Sequence, residues 1–330
     1  LIVVDQRIAS PGRTLAMGQD EGTQSRPTMD APFGHALVAL GRERPEIVGL
    51  TADLGKYTDI APFRDAFPDR FFNVGMAEQN LIAVAAGLAR TGHVPFCTTY
   101  GVFATRRAYD FIAIACAHSR INVKIVAGLP GLTTGYGGTH QAIEDLALMR
   151  MIPGLVVMDP CDATEMAQAT RAAADWDGPV YIRLQRGQVP VVLDPTAPFA
   201  IGRARTLRQG SRIGIVSTGL MTERALDAAA LLERDGIATG VLHVATIKPF
   251  DAEAVVAFAR SVDRVVTAEN HVVAGGLASL VAEALFDAGV TKQLTRVGLP
   301  DKFIECGSVP YLQDRYGLTA ERLAATARAD

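Results

Sequence analysis

At 330 residues the chain is long enough for two domains, each with its own core, and its 49% hydrophobic and 20% charged residues exclude a disordered or fibrous protein. A net charge of −3 excludes a general nucleic-acid or acidic-membrane surface, so any phosphate must be held by a few local Arg or Lys side chains. Four cysteines, Cys97, Cys116, Cys161 and Cys306, lie far apart with no CxxC, which suits buried thiols in the reducing cytoplasm better than disulfides or zinc.

No apolar run approaches the roughly 18 residues of a spanning helix. The first residues, Leu-Ile-Val-Val-Asp, lack a basic flank and make a poor signal peptide. Residues 1–30 read as a loose N-terminal extension, with Met17 or Met29 expected closer to the natural start, because periodic structure begins only after Pro32. From there strands alternate with helices. Ile47 to Leu50, Phe71 to Val74, Val94 to Thr98, Asn122 to Ala127, Leu155 to Met158 and Val180 to Leu184 read as strands of a first domain, 31–190. After a Pro-rich stretch and a linker placed at 191–211, a second series follows in a domain at 212–330. Its strands are Arg212 to Ser217, Ala238 to His243, Arg264 to Ala268 and Leu294 to Val297, with helices near Met221 to Arg234, Ala252 to Ala259 and Leu277 to Ala288. Such alternation predicts two doubly wound α/β domains with mostly parallel sheets.

Ligands of open α/β sheets bind beyond the carboxyl ends of the strands, so the loops there are the places to search. After the short strand ending at Val74, Gly75 allows a turn and an apolar helix runs from Leu81 to Ala89, expected to be buried on nearly all sides, with Glu78 in its first turn. The helix dipole alone favours an acid there. A partly desolvated carboxyl at the mouth of a buried helix is also suited to hydrogen-bonding a heterocycle nitrogen or moving a proton. A second loop, Thr99 to Asp110, follows the next strand. A third, Gly128 to Gln141, has glycines at 128, 131, 135, 137 and 138, more than a surface turn needs, and is expected to let backbone approach a ligand closely. His140 closes it ahead of a helix expected at Ala142 to Met151. A histidine is most often structural, but this placement makes it a site candidate.

Four stretches in order carry a resemblance: Gly75-Met-Ala-Glu-Gln-Asn80; Gly137-Gly-Thr-His-Gln141 with Ile143-Glu-Asp-Leu146 and Arg150-Met-Ile-Pro153; Ile182-Arg-Leu-Gln-Arg-Gly187; and Gly298-Leu-Pro-Asp-Lys-Phe303 with Gly307 and Tyr316-Gly-Leu-Thr319. From about residue 33 to 328 the chain resembles the C-terminal half of transketolases, above all the separate C-terminal subunits of split bacterial transketolases, and is similar to the C-terminal half of 1-deoxyxylulose-5-phosphate synthase. The resemblance implies a thiamine diphosphate pyrimidine-binding domain followed by a transketolase C-terminal domain. Glu78 would then hydrogen-bond the pyrimidine ring nitrogen, and Phe103, otherwise a core aromatic, would stack on the ring with Tyr100 and Arg107 beside it. Asp53 matches a cofactor-proximal Ala-Asp-Leu, although it could equally cap a turn. His140 would contact a substrate hydroxyl or developing oxyanion. Arg186 would hold the sugar phosphate, a task for a forked, permanently charged donor, with Arg183 the alternative and a surface ion pair the plain reading. His271, before Ala274-Gly-Gly276, is a candidate for the same cleft.

Two departures from the family matter. Tyr136 stands where transketolases usually carry the acid of Asp-Gly-Pro-Thr-His, which implies an unusual sugar. The Gly-Asp-Gly and following Asn that hold Mg²⁺ and the diphosphate do not occur in this sequence, so the resemblance implies a partner, an N-terminal subunit carrying that half of the site, in a heterotetramer acting on small sugar phosphates. The rival readings are the beta subunit of a 2-oxo-acid dehydrogenase decarboxylase component, tested by lipoyl-domain acylation, and a non-catalytic subunit of the same fold, tested by cofactor titration with the partner.

Overall fold

The computed structural model describes residues 26–329. Of the extension expected at 1–30, residues 1–25 lie outside the described residues, while Thr28–Asp30 form a strand, β1. The first domain continues with β2 (Ile47–Thr51), β3 (Phe71–Asn73), β4 (Val94–Tyr100), β5 (Lys124–Gly128), β6 (Val156–Met158), β7 (Val180–Arg183) and β8 (Gln188–Pro190). Between them lie α1 (Pro32–Glu43), α2 (Ala61–Ala66), α3 (Glu78–Arg90), α4 (Gly101–Phe111), α5 (Asp145–Arg150) and α6 (Ala163–Asp175). The second part holds β9 (Arg205–Arg208), β10 (Ile213–Ser217), β11 (Thr239–His243), β12 (Thr246–Lys248), β13 (Arg264–Val272) and β14 (Leu294–Leu299). Its helices are α7 (Met221–Arg234), α8 (Ala252–Arg260), α9 (Leu277–Asp287), α10 (Val309–Arg315) and α11 (Ala320–Ala329).

Strands covered on both faces read as continuous apolar runs rather than alternating ones. β2, β4, β5 and β7 are buried along their whole length, and they form the middle of a seven-stranded sheet ordered β12-β6-β7-β5-β4-β2-β3, parallel except for β12. The second sheet is ordered β14-β13-β10-β11-β9, parallel except for β9. The chain is thus two α/β units with mostly parallel sheets.

Several details differ from expectation. The linker placed at 191–211 contains β9, which pairs antiparallel with β11, because an edge strand needs only one ladder of hydrogen bonds and little apolar content. β12 comes from the second half yet pairs with β6, stitching the two parts into one sheet edge. The stretch Thr99 to Asp110 is no loop: β4 runs to Tyr100 and α4 starts at Gly101, where a Cβ would stand 3.0 Å from that of Ala142 and 3.3 Å from the Tyr181 hydroxyl. α4 runs on into a wider π turn, Ile112–His118. The helix expected from Ala142 begins only at Asp145.

This topology brings the ends of β2, β3, β4, β5 and β7 to one edge, so that Asp53, Glu78, Phe103, the glycine loop and Arg186 all follow strands at the carboxyl side of one parallel sheet.

Candidate functional site

Glu78 is the first residue of α3. Leu81, Ile82, Ala85 and Ala86 pack the helix into the core, and the Glu78 carboxylate is drawn under with them, leaving the residue 3% exposed. One face of α3 nevertheless remains open at Gln79, Asn80, Ala83 and Gly87, so the helix is less enclosed in this chain than its composition suggests. Arg107 Nη1 donates to Glu78 Oε1 at 2.8 Å, and the same guanidinium lies 3.9 Å from the centroid of Phe103. One planar, N–H-bearing group therefore stacks on Phe103 and hydrogen-bonds Glu78 at once. Those are the two contacts that a protonated aminopyrimidine needs, and the pair fits such a ring.

His140 faces this pair. Its ring lies edge-on to Phe103 at 5.4 Å, to Tyr136 at 5.5 Å and to Tyr100 at 6.1 Å, and its Nδ1 lies 2.9 Å from the Thr139 hydroxyl. Burial, and next the charge of Arg107, hold its pKa below the ordinary histidine value, so it is a neutral imidazole at pH 7, able to donate at one nitrogen and accept at the other. Tyr136 is exposed at the rim.

Arg186 follows β7 in a turn whose Gly187 N–H donates to Asp59 Oδ2 at 2.6 Å. Its charge is felt by Tyr100 and by Asp59, placing it on the same side of the site. Its buried Nε has no hydrogen-bond partner, an orphan donor that an anion would satisfy. Arg183, the alternative, is otherwise engaged: it is buried, paired with Asp145 and Asp159, and donates to the Asn270 carbonyl. Arg183 still lies on the strand and Arg186 beyond it.

Asp53 takes the turn-capping option. It is an exposed residue with φ of 59°; its carboxylate accepts from Asn73 Nδ2 at 3.0 Å and its N–H donates to Asn73 Oδ1 at 3.0 Å, tying the end of β2 to that of β3.

His271 does not face the cleft. It is fully buried; its Nε2 accepts the Ala147 N–H at 3.2 Å, a contact between the two parts, and its Nδ1 donates to the neighbouring Val272 carbonyl at 2.6 Å, so both nitrogens are engaged. Burial, and next the charge of Arg183, push its pKa down to about 4 from 6.5. Folding thus releases a proton from it between these values. Its contribution to stability is complete above about pH 6.5 and is lost as pH falls towards 4, on the order of 3 kcal/mol in all. Glu269, pushed up to about 7 chiefly by burial, acts with the opposite sign, so the residue is isolated by difference. His271→Gln, which keeps a neutral acceptor at about the reach of Nε2, should show a urea midpoint that rises relative to the parent's as pH falls from 7 to 5, because only the parent carries the His271 loss; a midpoint difference that does not change with pH would remove His271 from this role.

Sequence reasoning missed what packs on the glycine loop. The glycines were expected to admit a ligand, but a Cβ on Gly131 would overlap Asn270 and one on Gly135 would overlap the Gly307 carbonyl oxygen, so the close approach is that of the second part of the chain. Phe303 lies against Gly138 and Cys306 against Gly137. Cys306 is exposed, unlike Cys97, Cys116 and Cys161. Cys161, Glu165 and His243 also meet, but Glu165 is already held by His243, by Arg205 and by the Cys161 N–H, which makes the group a hydrogen-bonded knot. Nothing in the local sequence around Asn270 or Gly307 signals these contacts.

Residues 25–191 match the family model described as transketolase, pyrimidine binding domain, and residues 202–323 match that of the transketolase C-terminal domain. The chain belongs to the transketolase family. It is 52% identical over 315 residues to a transketolase family protein of Sinorhizobium fredii, covering 94% of this chain and 91% of the relative. It is 41% identical to a 6-deoxy-6-sulfo-D-fructose transketolase subunit of a Clostridium species, covering 88% of this chain and 90% of that one. Among solved structures it resembles a split-gene transketolase described as an inactive beta4 tetramer, with 45% identity and a TM-score of 0.84, covering 92% of this chain and 98% of that one. In this transketolase-family chain no helix among the described residues is long and apolar enough to cross a membrane.

Proposed function

We propose that this chain is the C-terminal subunit of a two-chain, thiamine diphosphate-dependent transketolase that moves a two-carbon ketol unit between sugar phosphates, with the diphosphate and Mg²⁺ held mainly by a separate N-terminal subunit. The observation that carries the reading is the Phe103–Glu78 pair, which already binds one planar N–H-bearing group by stacking and by a charge-assisted hydrogen bond. A relative matched over 90% of its length is described as a transketolase subunit, and a structural neighbour of matching length as an inactive beta4 tetramer, which support a separate partner and self-association of this chain into a heterotetramer.

When bound, the cofactor supplies the carbon nucleophile and the electron sink. The rest of the work belongs to side chains. Glu78 would hold the proton-bearing ring nitrogen and Phe103 would fix the ring plane, with Tyr100 at its edge beside Arg107, whose guanidinium now occupies the place of the ring and would swing aside. His140, neutral, hydrogen-bonds a substrate hydroxyl and the oxygen on which negative charge develops. Arg186 takes the terminal phosphate with the donor that now lacks a partner. Tyr136, which cannot accept as a carboxylate does, sets the rim of the sugar site.

Arg186→Ala in the assembled enzyme should weaken phosphorylated substrates far more than their dephosphorylated analogues, because a charge-assisted hydrogen bond is lost only for the former, on the order of 2 kcal/mol or about thirtyfold in kcat/KM. Equal losses for both would make Arg186 structural, and an assembly that acylates a lipoyl domain instead would move the chain to the decarboxylase reading.

A further inference from the structure

The loop from Pro130 to Ile143 carries both Tyr136 and His140, yet several of its backbone groups are paired with the second part of the chain. Asn270, on β13, offers its carboxamide as a substitute peptide unit: Oδ1 accepts the Leu132 N–H at 2.8 Å and Nδ2 donates to the Pro130 carbonyl at 3.4 Å. These two groups flank Gly131, which explains why no side chain fits there. Gln313, on α10, donates from Nε2 to the Leu132 carbonyl at 3.1 Å while its Oε1 accepts from Arg224 at 2.7 Å. Further along, the Gly307 N–H donates to the Gly135 carbonyl at 3.1 Å and the Val272 N–H to the Ile143 carbonyl at 2.9 Å. From its other side, Arg106 of α4 donates to the Gly138 carbonyl at 2.7 Å. Asn270 and Gln313 are each 2% exposed, so water cannot replace them.

From this geometry we infer that Asn270 and Gln313 are positioning residues: they clamp the glycine loop and thereby fix His140 against Phe103 and Tyr136 against His140. The inference rests on the reaction proposed above only for its kinetic consequence, since the clamp itself is a property of the chain. Asn270 is anchored in turn by Arg183, which donates to its carbonyl at 3.2 Å and pairs with Asp145 at the start of α5. The second part of the chain thus acts on the site through the loop rather than by contributing a group to the reaction. Held geometry of this kind matters because misplacing a reacting group by about 1 Å can cost on the order of 10²-fold in rate.

Two variants test the clamp in the full chain with its partner. Asn270→Ala removes both loop contacts; Gln313→Glu keeps the acceptor for Arg224 and loses only the donor to Leu132, so it preserves the fold if the first variant does not. Amide hydrogen exchange should quicken about tenfold or more at Leu132 to His140 in either variant while β10 keeps its protection, a loss the size of one buried hydrogen bond. The His140 imidazole, followed by NMR, should titrate closer to the ordinary histidine value, and kcat should fall more than KM for the ketose donor rises, because His140 is misplaced towards the developing charge. Unchanged loop exchange and an unchanged His140 titration would overturn the clamp, as would exchange rising equally in β10. Loss of ketol transfer in the unaltered assembly would strike the proposed function alone, because exchange and titration judge the clamp without turnover.

Discussion

Glu78→Gln in the assembled enzyme is expected to lower turnover by roughly 10²–10⁴-fold, the usual effect of removing a positioned acid–base group. The substitution keeps the volume of a buried side chain, so the packing of Leu81, Ile82 and Ala85 beneath it is not disturbed. What changes is charge. The carboxylate accepts a proton-bearing nitrogen and draws positive charge towards it, as it now does with Arg107 at 2.8 Å; a neutral amide accepts more weakly and cannot take up a proton. Arg107 is half exposed, and water replaces its lost partner, so the fold should survive with a stability change of about 1 kcal/mol or less. The decisive measurement is proton exchange at the reacting carbon of bound cofactor, followed by NMR in the reconstituted complex, with circular dichroism confirming an intact fold. Parent-like exchange in the variant would end the assignment of Glu78.

The part of the site legible in the sequence is the part built by short-range rules. A two-aromatic strand, a glycine turn and an apolar helix fix where Glu78 must stand, and β4 followed by α4 does the same for Phe103 even though the stretch reads as a loop. There the mixed polar residues and the opening Gly101 conceal the helix; the glycine is present because Ala142 and Tyr181 crowd it, not because the chain turns. Long-range packing is what the sequence conceals. The glycines from 131 to 138 carry no mark that their neighbours are Asn270, Gly307, Cys306 and Phe303, and loop glycines that admit protein look the same as loop glycines that admit a ligand. His271 misleads for the same reason: beside Ala274-Gly-Gly276 it has the look of a site residue, whereas its two nitrogens are consumed by Ala147 and Val272. β9 escapes notice because Arg205-Thr-Leu-Arg208 has one apolar side chain in four and needs none of the others for its antiparallel ladder.

Purified by itself, this chain is expected to show no ketol transfer and no magnesium-dependent cofactor binding at micromolar concentration, and to gain both when an N-terminal subunit is added. Glu78 and Phe103, which now hold the Arg107 guanidinium, would grip only a flat ring, through one carboxylate and one stacking face that together contribute about a few kcal/mol at most. The larger share of the affinity belongs to the diphosphate and its metal, which require oxygen ligands in near-octahedral array and a cradle of donors. The Gly-Asp-Gly and following Asn associated with that task in the family do not occur in this sequence. The edge that would receive the partner is open: Met76 is 77% and Phe303 75% exposed, Arg107 lies half in water over Phe103, and α3 presents Ala83 and Gly87 to solvent. On the proposed reading another protein would cover these exposed apolar side chains, which would exclude water from Glu78 and strengthen every hydrogen bond there. Titrating the chain with the partner while recording turnover and cofactor affinity, each with and without Mg²⁺, measures the effect. Full activity from this chain alone, after mass spectrometry has excluded a co-purified subunit, would overturn the two-chain reading and require the diphosphate to be held by residues at this edge.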